Sequence, residues 1–163
     1  MSQDAITQGC MEEEGAFKVP LYWGITPALG PDGEDHNGGL GLGVYATTMY
    51  EMQMFESADA TGPDLTDGKT ITWTATPNPS FPITNFIDNN NSTRFSTLGT
   101  TDSPFIILVA TGPVEVHSLT LLPFGGYHAK YYDLISSVDG VSFTRVTKFA
   151  TASAGTLQTF TNL

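Results

Sequence analysis

The chain predicts an all-β domain of seven or eight strands in two sheets, and three observations carry that expectation. Charged residues make up only 14 % of the 163 residues, with Gly, Thr, Ser, Asn and Pro filling the gap, a chemistry that suits strands and turns. Residues 69–76 alternate strictly, Ile71, Trp73 and Ala75 pointing one way and Thr70, Thr72, Thr74 and Thr76 the other, which is the period of a half-buried antiparallel strand. No stretch of useful length repeats its apolar residues at helical spacing.

Taken in order, residues 1–15 hold Asp4, Glu12, Glu13 and Glu14 with no basic residue and no apolar period, and so read as an acidic N-terminal arm ahead of a single domain at 16–163. Phe17 to Thr26 is aromatic-rich and extended, and Pro20, which cannot donate to a ladder, marks an edge strand or a strand start. Pro27 to Gly43 is the longest loop. Val44 to Glu56 reads as a long strand with Tyr50, Met52 and Met54 on one face. After the alternating strand at 69–76, Pro77, Pro79 and Pro82 form a stiff connector. Phe105 to Ala110 is an apolar run expected to be buried on both faces. Val114 to Pro123 changes phase near His117 and Ser118, as a bulge would cause. The closing strands are Tyr131 to Ser136, Phe143 to Ala150 and Thr156 to Asn162, with turns at Asp139-Gly140 and Gly155.

The stretch from Ile83 to Ser96 is the most distinctive. Phe86, Ile87 and Phe95 are anchors that belong in a core. Between them Asp88-Asn89-Asn90-Asn91-Ser92-Thr93 is a run of short oxygen-bearing side chains that tolerate left-handed backbone and bond to neighbouring amides. A tight turn, pinned on both sides, is expected.

This Ile-Asp-x-Asn-x-Ser-Thr-Arg-aromatic pattern resembles the hallmark turn of the discoidin, or coagulation factor V/VIII C-type, galactose-binding-like domains. Tyr50 to Phe55 resembles the strand that precedes that turn, and Tyr132 to Val146, with Ser137-Val138-Asp139-Gly140 at its bend, resembles the family's later hairpin. The resemblance implies a jelly-roll β-sandwich. It also implies a calcium ion in the turn, held by Asp88, Asn91, Thr93 and Glu51. Asn89 stands where the family uses glycine, and asparagine is the next most tolerant residue there.

A ligand face is expected on loops at one end of the sandwich, because sugar recognition needs a flat apolar face for stacking and convergent polar groups. Tyr127, His128 and Lys130 in one loop, Arg94 beside the turn, and His36 with Asn37 in the long loop supply those types. Asp32, Glu34, Asp35 and His36 match no metal-ligand spacing and read as a solvated loop.

Six basic against seventeen acidic residues give a formal charge of −11, a field that repels phosphate backbones, so nucleic acid is not an expected partner. No run approaches the roughly 20 apolar residues of a spanning helix, and Met1 to Gly15 lacks the basic start and apolar centre of a signal peptide. The lone Cys10 permits no internal disulfide. No hydrolase motif links the three histidines or the carboxylates, so an enzyme is not expected. The expectation is a non-catalytic virion protein, of bacteriophage, serving in capsid decoration or in the tail. Its arm would contact other virion proteins in an oligomeric assembly, and its module would serve assembly or attachment to cell-surface glycans. The alternative is a calcium-stabilised carbohydrate-binding module on a bacterial surface or secreted protein.

Overall fold

A computed structural model describes residues 18–31, 48–74, 78–97, 106–125, 128–152 and 155–163. The acidic arm at 1–15, Cys10 and most of the long loop, including His36 and Asn37, lie outside the described residues. No helix among the described residues is long and apolar enough to cross a membrane.

The described chain is all-β, with nine strands in two antiparallel sheets. One sheet runs β3 (Ile71–Trp73), β5 (Ile107–Val109), β1 (Tyr22–Pro27), β7 (Tyr131–Ser137), β8 (Thr144–Ala150); the other runs β4 (Phe95–Ser96), β2 (Thr48–Phe55), β6 (Ser118–Pro123), β9 (Gln158–Thr161). The ninth strand, beyond the eight segments expected, is β4. It is the far anchor of the Asx-rich stretch, and it pairs with β2 through Thr48 opposite Ser96 and Met49 opposite Phe95.

The core lies between the sheets. Trp23, Ile25, Ile107, Val109, Tyr132 and Leu134 come from the first, and Met49, Met52, Met54, Phe95, Leu119 and Leu121 from the second. Aromatic rings cross the gap: Phe149 of β8 packs on Phe160 of β9 at 4.5 Å, and Trp73 of β3 meets Phe95 of β4 edge to face at 5.8 Å. Offset and edge-on contacts of this kind are the favoured geometries for aromatic pairs. The Trp23 indole, buried in this layer, donates to the Val114 carbonyl at 2.9 Å.

Several expectations hold in detail. Ile71 and Trp73 are partly buried while Thr72 is exposed, and Ile107, Leu108 and Val109 are buried on both faces. Phe86, Ile87 and Phe95 are all buried. The bend at Asp139-Gly140 joins β7 to β8, with Gly140 at φ +74° and the exposed Asp139 carboxylate accepting from the Val141 and Ser142 amides at 2.8 and 2.7 Å. Those bonds hold the Asp139 carboxyl down at about 2.

Three expectations are corrected. First, of the two readings of Pro20 the strand start holds and the edge strand does not: β1 begins at Tyr22 and lies between β5 and β7. Pro20 precedes the strand and Pro27 ends it, so neither removes an interior ladder bond. Second, Tyr50 does not share a face with Met52 and Met54. The register of β2 on β6 shifts between Met49 and Glu51, so Tyr50 is an extra, bulged residue. Met49, Met52 and Met54 consequently all turn inward, each at 0 % exposure. Third, the bulge expected near His117 lies on the partner strand instead. β6 simply starts at Ser118, which explains the phase change in the sequence.

Gly24 shows how closely the central strands approach. A Cβ at this position would lie 1.7 Å from the Ile107 carbonyl oxygen, and backbone cannot yield there without breaking the β1–β5 ladder. Gly24→Ala is expected to destabilise the fold by on the order of 3 kcal/mol, seen as a lower urea midpoint at unchanged m-value.

Candidate functional site

The bulge at Tyr50 creates the site. Because it rephases β2, Glu51 and Gln53 leave the core face and lie opposite Leu122 and Thr120 on the other side of the sheet. The turn at 88–93 covers them. It is anchored by a short 3-10 turn at Ile83–Phe86 and by β4.

Within the turn the bonds are local and dense. Asp88 and Glu51 both accept from the Asn90 amide, through Oδ1 at 3.0 Å and Oε2 at 3.1 Å. The Thr93 hydroxyl donates to Asp88 Oδ2 at 2.7 Å and lies 2.9 Å from the Asn90 carbonyl oxygen. Asn89 has φ +59°. It takes the left-handed conformation that glycine would take freely and that asparagine adopts at modest cost. Its side chain also ties the turn down, accepting from Gln53 Nε2 at 2.8 Å and donating to Asp67 Oδ1 at 3.2 Å.

Glu51 is the anomaly. It is 2 % exposed, and its Oε1 is buried without a hydrogen-bond partner. Burial pushes its carboxyl up to about 8; the Asn90 amide pulls it down, while the Asp88 and Asp64 carboxylates push it up further. A buried carboxyl oxygen without a hydrogen-bond partner is costly.

Of the four residues expected around a metal, three converge: Glu51, Asp88 and Thr93. Asn91 is exposed; its neighbour Asn90 makes the contacts, through backbone amide and carbonyl. Among the described residues no three His, Cys, Asp or Glu side chains gather as a metal-binding group. The donors present are therefore two carboxylates with neutral oxygens, the hydroxyl of Thr93 and the carbonyl of Asn90. That mixture suits a hard cation such as calcium, which accepts backbone carbonyls, and the free Glu51 Oε1 is the atom such an ion would satisfy.

The expected ligand residues fall into separate groups. His36, Asn37 and Tyr127 lie outside the described residues. His128 is partly buried with its Nδ1 unpartnered, and Lys130 is exposed with its ammonium 5.6 Å from the Tyr131 ring centroid. Arg94 stands elsewhere. It follows Thr93 directly and enters a cleft of about 390 Å³ that Tyr50, Phe81 and Asn85 also line. Its guanidinium carbon lies 4.3 Å from the Phe81 ring centroid and 4.4 Å from that of Phe124, and Tyr50 meets Phe124 edge to face at 5.2 Å. Phe81, Phe124 and Asn90 were not singled out in the sequence. A signal for Phe81 was present in its place beside the proline connector.

The Glu51 shift makes stability depend on pH. Below about 4.5 the carboxyl is protonated in both folded and unfolded chains; between there and about 8 only the folded chain keeps the proton. Folding then binds a proton, so this group's contribution falls as pH rises, by at most about 1.4 kcal/mol per unit, and levels off above 8. In calcium-free buffer, Glu51→Gln is expected to melt higher than the parent at pH 8 and to show a flatter melting profile between pH 5 and 8. A parent slope retained in the variant would assign it to another group. No protein-family model, curated protein or solved structure matches the chain, and the site stands on its own residues.

Proposed function

We propose that the chain is a non-catalytic carbohydrate-binding module of the jelly-roll, galactose-binding-like kind, with calcium closing the turn at Asp88–Thr93. The observation that carries this reading is the buried Glu51 carboxyl, with one oxygen unpaired beneath a turn already lined with oxygens. A cation offsets the charge that burial otherwise excludes. It would be held by Glu51, Asp88, Thr93 and the Asn90 carbonyl, and its chemistry is structural: it fixes the turn and so the cleft that begins at Arg94.

The jelly-roll reading is supported by the route of the chain. Every connection from β1 to β7 crosses from one sheet to the other, and β7 to β8 alone returns within a sheet. Of the two readings considered from sequence, the virion component uses the module for assembly or for attachment to cell-surface glycans, and the extracellular module uses it for calcium-stabilised carbohydrate binding. In both, the rim of the sandwich binds a partner and leaves it chemically unchanged.

Calcium at millimolar concentration is expected to raise the melting temperature, and Asp88→Ala to abolish the rise. Because Glu51 must give up its proton to bind a cation, calorimetry at pH 7 should show proton release through a dependence on buffer ionisation enthalpy, with affinity weakening by up to about tenfold per pH unit below 8. Sugar binding should fall when the ion is chelated. The absence of both a thermal shift and a calorimetric heat with calcium would overturn the calcium closure; a glycan array blank with and without calcium would overturn the module.

A further inference from the structure

We infer that the cleft at Arg94 selects a sugar bearing a carboxylate, a uronic or sialic type of acid, over a neutral one; this rests on the carbohydrate-binding reading and adds the ligand's class. The guanidinium carbon lies 4.3 Å from the Phe81 ring centroid and 4.4 Å from that of Phe124. Arg94 lines the cleft, and its planar fork of N–H donors matches a carboxylate in bidentate fashion.

No carboxylate or carbonyl among the described residues accepts from this guanidinium, in a chain with seventeen acidic and six basic residues. Two of the described acids have other partners: Asp133 pairs with Arg145 at 2.8 Å, and Asp88 accepts from the Thr93 hydroxyl. The cation is also held in place before any ligand arrives. The two rings pack against it, and Asn85 Nδ2 donates to the Arg94 carbonyl at 2.9 Å, which lowers the side-chain freedom left to lose on binding. Around it the cleft supplies what a pyranose needs, the hydroxyls of Ser80 and Ser92 and the ring of Tyr50. The net charge of −11 does not forbid a single carboxylate here, since charges further away than about 8 Å are largely screened at physiological ionic strength.

The test is calorimetric or NMR titration of the full chain, in calcium, with D-galacturonate, with its methyl ester, which keeps the sugar and removes the charge, and with acetate. Galacturonate is expected to bind at least tenfold more tightly than either. Arg94→Lys, which keeps the charge but loses the fork, should remove most of that preference. Because Arg94 also clamps two rings, Ser80→Glu provides a second variant: it leaves the clamp intact, places a carboxylate in the cleft and should abolish galacturonate binding at an unchanged melting temperature. Equal affinity for acid and ester overturns this inference and leaves the carbohydrate reading standing. Acetate binding as well as galacturonate, or galacturonate binding untouched in Ser80→Glu, overturns it too. No binding of any sugar, here or on an array, sinks both.

Discussion

One extra residue in β2 governs the arrangement of this molecule. Without the bulge at Tyr50, strict alternation would put Met49 and Glu51 on one face and Tyr50 and Met52 on the other, and either a carboxylate would enter the core or a methionine would leave it. The bulge resolves the conflict. Met49, Met52 and Met54 fill the space between the sheets, Glu51 and Gln53 face the turn, and Tyr50 is left to meet Phe124 at the cleft. Core, turn and cleft thus share a single backbone irregularity, of the kind that re-aims side chains near functional sites.

The same region holds features that the fold alone does not require. Among the described residues a buried carboxyl has an oxygen without a partner, an asparagine sits in left-handed backbone, and a guanidinium packs on an aromatic ring with no acid accepting from it. Each disfavours the isolated folded chain or contributes little to it, and all three fall between Glu51 and Arg94 in space. Other buried hydroxyls are bonded in ordinary ways. Ser118, buried in β6, donates to the Ser57 carbonyl and accepts from the Ala60 amide, and Thr66 is bonded to Asp64 and to Met52.

Sequence made the sheets legible where periodicity is a local property. Ile71 and Trp73, Ile107 to Val109 and the Asp139-Gly140 bend each declared themselves within a few residues. The anchors Phe86 and Phe95 were readable because large aromatics have no place in an Asx-rich surface loop. What was illegible depended on pairing between distant segments. The bulge at Tyr50 exists only in relation to β6, and the central place of β1 is decided by β5 and β7. The contact of Arg94 with Phe124 depends on a residue that approaches from another connection altogether. Asn90 displaced Asn91 from the site for a subtler reason: its contribution is a backbone amide and carbonyl, and side-chain chemistry does not distinguish which of two adjacent asparagines supplies those.

β8 ends the five-stranded sheet, and much of it is exposed, with Val146 outward and Phe143 beside its start. Such a margin invites a second chain to extend the ladder. Arg145 and Lys148, two of only six basic residues, sit within it, and any added strand would have to strip water from both. A chain this poor in cations carries two of them along the exposed edge strand, where the desolvation of both opposes the addition of a further strand.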